Sequence, residues 1–138
     1  MFIENCAAMD MSSMGHRDPG ENSMLIRITD PTGWMGVPKH NFKESHHFVF
    51  MDIEDNDTQY PEECKISDSQ AEQLVDLLKY ALEKEMNVIV HCYAGICRSG
   101  AVAEVGTMLG FTDTGRYRQP NVRVKTKMMR VLGWTYDE

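Results

Sequence analysis

Long apolar runs are missing from this chain. No stretch approaches the roughly 18 apolar residues needed to span a bilayer, so a membrane-spanning helix is not expected. The opening residues, Met1-Phe2-Ile3-Glu4-Asn5, lack a basic patch followed by an apolar stretch, and no export signal is expected. Cysteine is sparse and unpatterned. Cys6, Cys64, Cys92 and Cys97 show no zinc-type pairing. Free thiols in the reducing cytoplasm are therefore the expectation. Positive charge is also short, with 14 basic against 21 acidic residues and a net charge of −7. An acidic body argues against general nucleic-acid binding. The basic residues that exist are concentrated. Arg116, Arg118, Arg123, Lys125, Lys127 and Arg130 lie in an acid-free stretch, and taking their +6 from −7 leaves −13 elsewhere. That stretch either borders an anionic site or forms a solvated helix face.

What is present fits an ordinary globular domain. The 138 residues are 42% apolar and 25% charged, enough for one domain over 1–138 with a modest core. One segment organises the rest. Val88-Ile89-Val90 has strand character, and Ala101 to Leu109 reads as a helix closed by Gly110. Between them runs His91-Cys92-Tyr93-Ala94-Gly95-Ile96-Cys97-Arg98-Ser99-Gly100. A cysteine is thus expected on the turn between a buried strand and a helix N-terminus, where free N–H groups and partial positive charge suit a phosphate. The same field, with a nearby guanidinium, favours a thiolate over a thiol.

The remaining elements follow from periodicity. A short strand is expected near Phe2–Cys6 and another over Met24–Thr29, stopped by Asp30-Pro31-Thr32-Gly33. His47 to Ile53 reads as a strand buried on both faces. His46 and His47 are read as strand-edge residues, since no acid or histidine follows at a spacing that completes a metal site. Ser67-Asp68-Ser69-Gln70 is a capping box, followed by the helical stripe Ala71, Leu74, Val75, Leu78, Ala81 and Leu82, with Asn87 as its stop. Pro120-Asn121 opens a last helix with Asn121 as N-cap. Its buried side is expected to carry Val122, Met128, Met129 and Leu132, with Gly133 as its end and Trp134 packed back on the body. This alternation predicts an α/β fold, a mostly parallel sheet of four to five strands with helices on both faces. Ligands of such sheets bind beyond the strands' carboxyl ends, where Cys92 and the segment Asp52 to Asp57 both fall.

These residues support a definite chemistry. Backbone N–H groups from Tyr93, Ala94, Gly95, Ile96, Cys97 and Arg98 can surround phosphate oxygens, and Arg98 can add a two-pronged charge-assisted contact. Cys92 would attack phosphorus, and Ser99 would donate to the sulfur as it leaves. His91 is expected to orient the loop, and as a cation would also favour the thiolate. A carboxylic acid must protonate the leaving oxygen, and Asp52, Asp55 and Asp57 are the candidates. No metal or cofactor is needed.

The His-Cys-five-residues-Arg-Ser signature resembles that of the protein tyrosine phosphatase superfamily, with Gly95 at the family's loop glycine. Asn56-Asp57-Thr58-Gln59 is similar to the acid loop of small dual-specificity phosphatases, which implies Asp57 as general acid. Asp52-Ile53 instead resembles the loop of some bacterial and phage relatives. Pro120-Asn121 resembles a step before the last helix of dual-specificity phosphatases. The resemblance covers about residues 24 to 132. It implies a cysteine-phosphatase fold and hydrolysis of phosphotyrosine, with phosphoserine or phosphothreonine as further substrates, on a phosphorylated protein. Two alternatives stand beside it: a phosphate-binding pseudophosphatase without turnover, and a phosphatase for a nucleotide or RNA end. Cys97 stands where relatives often carry serine, and a reversible Cys92–Cys97 disulfide is a further possibility.

Overall fold

A computed structural model describes residues 1–134. Five strands form one sheet in the order β3-β2-β4-β1-β5, and every pairing is parallel. They are β1 Phe2–Ala7, β2 Ser23–Thr29, β3 Glu44–Val49, β4 Asn87–Cys92 and β5 Thr112–Asp113. The α-helices are α1 Met9–Ser13, α2 Asp68–Glu83, α3 Arg98–Leu109 and α4 Val122–Val131.

Alternation along the strands builds two unequal cores. Met24, Ile26 and Ile28 of β2, with Val88 and Val90 of β4, meet the apolar stripes of α2, α3 and α4. Leu25 and Ile89 point the other way, to Cys6, Met11 and the partly buried Phe2 and Phe42. Helices do cover both faces, but three share one face and the second has only the five-residue α1 and coil. β4 lies in the middle of the sheet and is buried from Val88 to Cys92. Its carboxyl end is thus held from both sides, by β1 and β2, which fixes where Cys92 emerges.

Local signals account for most helix ends. Ser67 Oγ accepts from Gln70 N while the Gln70 side chain accepts from Ser67 N, a reciprocal cap worth about 1 kcal/mol. Asn121 caps α4 by accepting from Val124 N at 3.0 Å. Gly110, at φ 129°, closes α3, and Gly133 at φ 76° follows α4, with Trp134 packed partly against the core.

Four boundaries differ from expectation. The strand expected over 47–53 is β3 at 44–49, an edge strand whose burial alternates and whose Val49 is exposed. Phe50 and Ile53 are buried by the coil that follows, where Met51 N donates to Cys64 O at 2.7 Å, so an apolar run arose without a doubly covered strand. Asn87 does not stop α2. The helix ends at Glu83, Glu85 takes the positive φ, and Asn87 opens β4. α3 starts at Arg98, three residues before the expected Ala101. Val122 is exposed rather than buried, because it sits at the first turn of α4, facing away from the core.

Candidate active site

The loop from Tyr93 to Cys97 links the central strand to α3. Its glycine is dictated by space and backbone. Gly95 has φ +77°, and a Cβ there would run into the Cys6 and Ala7 backbone of β1. Four of the loop's carbonyls are committed elsewhere. Tyr93 O accepts from Ala8 N at 3.2 Å, and Gly95 O accepts from Asn5 Nδ2 at 2.7 Å. Ile96 O accepts from Gln119 N at 3.1 Å, and Cys97 O accepts from Ala101 N and Asn121 N at 2.9 and 3.0 Å. A trans peptide holds its N–H opposite its C=O. The N–H groups of Ala94, Ile96, Cys97 and Arg98 therefore turn the opposite way, toward the hollow of the loop. Gly95 N already points onto Cys92 Sγ at 3.3 Å, and Ser99 Oγ lies 3.1 Å from the same sulfur. Cys97, the residue before α3, supplies no side-chain cap, so the first turn of α3 keeps N–H groups for a ligand. Cys92 is buried at the floor, while Tyr93 and Ala94 are exposed.

Arg98 is buried beside this hollow. Its Nη1 donates to Asp30 Oδ1 and to Phe50 O, both at 2.9 Å. Its Nε is buried without a partner in the protein, a donor that an oxyanion in the hollow would satisfy. His91 is fully buried, and its Nε2 accepts from Arg27 Nε at 3.0 Å, which puts the ring proton on Nδ1. Burial, and then the Arg27 charge, lower its pKa to about 4. The expected cationic histidine is thus a neutral one, and it adds no positive charge for a thiolate. Through Arg27, whose Nη2 donates to the Met35 and Gly36 carbonyls at 2.9 and 2.7 Å, it is linked to the segment after β2.

The three aspartates separate cleanly. Asp52 accepts from Asn121 Nδ2 at 2.7 Å, and the backbone N of the same Asn121 donates to Cys97 O at 3.0 Å. Burial first, and then Asp52, push the Cys97 thiol up to about 11, so it stays protonated. All four cysteines are free. Asp55 is drawn off to Arg123 at 2.6 Å. Asp57 turns its carboxylate onto its own loop, accepting from Gln59 N at 2.9 Å, and Lys65 Nζ holds its carbonyl at 2.8 Å. Of the three, Asp52 is the one tied to the Cys92 loop, through Asn121.

The basic stretch after residue 115 ties the acidic body together. Arg116 pairs with Glu4 and Asp10, Arg118 with Glu104 and Asp113, and Arg123 with Asp55 and Glu62. Lys125 pairs with Glu104 and Lys127 with Asp68. His47 Nε2 lies 2.7 Å from Thr29 Oγ1 and His46 Nε2 lies 3.1 Å from Glu44, both on the sheet edge. Three contributors to the site went unread in the sequence. Asp30 follows the carboxyl end of β2, beside β4, a position that the rule for parallel sheets marks. Asn5 and Arg27 are polar residues inside apolar strands, the kind of local inconsistency that flags a function.

No helix among the described residues is long and apolar enough to cross a membrane. No protein-family model matches the chain, and no curated protein matches it in sequence. Solved structures do. Human DUSP28 is 12% identical with a TM-score of 0.58, over 94% of this chain and 90% of that one. Tk-PTP in the active form is 13% identical with a TM-score of 0.41, over 100% of this chain and 84% of that one. The chain therefore has the α/β fold of human DUSP28, a five-stranded parallel sheet flanked by helices, along nearly its whole length.

Proposed function

We propose that this chain is one domain of the protein tyrosine phosphatase superfamily, small and dual-specificity-like, and that it hydrolyses phosphate monoesters through Cys92. The observation that carries the proposal is the hollow itself. A cysteine sulfur lies at its floor under the Gly95 amide, with inward N–H groups around it and the unpartnered Arg98 Nε at its side. The fold shared with DUSP28 and the His91-to-Ser99 signature agree with it.

The reaction has two steps. Cys92, as thiolate, attacks phosphorus in line while the bond to the leaving oxygen breaks, and the amides and Arg98 hold the three other oxygens. Asp52, protonated, gives its proton to the leaving oxygen. Water then attacks the cysteinyl phosphate, Asp52 takes back a proton, and the sulfur leaves as thiolate with Ser99 donating to it. Inorganic phosphate is released and the enzyme is restored.

Asp52 is preferred over Asp57 because reach comes before pKa, and Asn121 ties Asp52 to Cys97 of the loop while Asp57 turns onto its own loop. The substrate class is a phosphorylated protein, with phosphotyrosine first and phosphoserine or phosphothreonine also admitted. Free thiols at all four cysteines fit action in a reducing cytoplasm. The binding-only alternative requires that no carboxylate reach the hollow, which the Asp52–Asn121–Cys97 bridge speaks against. Paired basic residues along 116–127 leave no cationic track for an RNA end.

The test is hydrolysis of an aryl phosphate by the purified chain in the presence of a chelator. Activity is expected to persist there and to vanish in Cys92→Ser. Equal activity in that variant would end the proposal.

A further inference from the structure

One residue joins the sulfur loop, the acid segment and α4, and its chemistry bears on the proton transfer. Asn121 is buried, and its polar atoms are engaged on several sides. Its backbone N donates to Cys97 O at 3.0 Å. Its Nδ2 donates to Asp52 Oδ1 at 2.7 Å and to Ile53 O at 3.2 Å. Its Oδ1 accepts from Val124 N at 3.0 Å. The amide cannot be turned round, because Ile53 O only accepts and Val124 N only donates. Asp52 Oδ1 therefore accepts from a donor, and a carbonyl oxygen accepts better than a hydroxyl oxygen. When the carboxyl is protonated, the proton is favoured on Oδ2.

The rest of the acid segment is fastened to the same helix end. Glu54 accepts from Val122 N and Arg123 N, both at 2.9 Å, and Arg123 holds Asp55. Buried Lys65 donates to the Asp57 carbonyl from the other side. The segment is thus set at a fixed offset from Cys97, and Asn121 is the shortest bridge between the two.

We propose that Asn121 is a positioning residue for general acid catalysis: it aims Asp52 at the leaving oxygen and decides which carboxyl oxygen carries the proton. This rests on Asp52 being the acid. The role is separable from helix capping. Serine at this position keeps an oxygen that accepts from Val124 N but has no amide to hold Asp52.

The experiment compares Asn121→Ser and Asp52→Asn with the unmodified chain on two substrates. Dinitrophenyl phosphate has a leaving group that departs without a proton, and phenyl phosphate has one that needs it. Asn121→Ser is expected to lose about tenfold or more in kcat/KM, which reports the first step alone, on phenyl phosphate and less than about threefold on dinitrophenyl phosphate, part of the 10²–10⁴ that a general acid supplies. Inhibition by inorganic phosphate should be unchanged within about twofold, and thermal melting should show a folded chain. Asn121→Ala, which also loses the cap, should show the same substrate split with a lower melting temperature. An equal loss on both substrates, or no loss, would overturn the proposal if Asp52→Asn does show the split. If Asp52→Asn shows no split, the assignment of Asp52 as the acid falls, and the role of Asn121 with it.

Discussion

Arg98 and Asp30 are paired, Nη1 to Oδ1, at 2.9 Å, and the same nitrogen holds the Phe50 carbonyl. The guanidinium is therefore oriented before an anion arrives, with Nε left unpartnered. Asp30→Ala is expected to raise KM for an aryl phosphate about tenfold, as expected when a hydrogen bond to a charged group is lost, with a smaller change in kcat. Arg98→Lys cannot reproduce the planar fork and should cost about 10²–10³ in kcat/KM. An unchanged KM in Asp30→Ala would show that Phe50 O alone suffices.

Gly95 sits where no side chain fits. Its φ is +77°, and the Cys6–Ala7 backbone occupies the space of a Cβ. Gly95→Ala combines left-handed strain with displacement of β1 from the loop. It should destabilise the fold by about 2 kcal/mol or more in urea denaturation and should abolish activity.

The buried neutral His91 makes stability depend on pH. Its folded pKa is about 4, below the usual value of 6.5. Between those values the unfolded chain binds a proton that the folded chain does not, so stability is full above about pH 6.5 and falls as pH drops toward 4. The fall is on the order of 3 kcal/mol. Urea midpoints across pH 7 to 4 measure it. His91→Asn should flatten that part of the profile, and an equal slope in both proteins would assign the titration elsewhere.

Cys97 keeps its proton, with its pKa pushed up to about 11. A thiol held this way is a poor attacker of an oxidised Cys92. Recovery from peroxide by added thiol should therefore be the same in Cys97→Ser as in the unmodified chain. Loss of recovery in that variant would instead support the Cys92–Cys97 disulfide suggested by their shared loop.

The fold was largely legible because its decisive signals are local. The His91-to-Gly100 run states strand end, turn and helix start within ten residues, and Ser67 with Gln70 states a helix start within four. The errors came where burial was not set by secondary structure. Phe50 and Ile53 are buried from positions in coil, Phe50 in the main core, and an apolar run alone does not separate coil from strand. The unread part of the site depends on partners distant in sequence. Asp30 is 68 positions from Arg98, Asn5 is 90 from Gly95, and Arg27 is 64 from His91. Burial first, and then Arg27, keep His91 neutral, and no pattern near His91 records the Arg27 contact. Spacing does not rank Asp52 and Asp57, because the bridge that favours Asp52 in the proposed mechanism comes from Asn121, 69 positions beyond Asp52.

The most direct measurement is rapid quenching of the enzyme with a phosphate-labelled aryl phosphate, followed by mapping of the labelled peptide. Label should appear on Cys92, should accumulate in Asp52→Asn, where water lacks its base, and should be absent in Cys92→Ser. Turnover with no covalent label, or label on any other residue, would contradict the account.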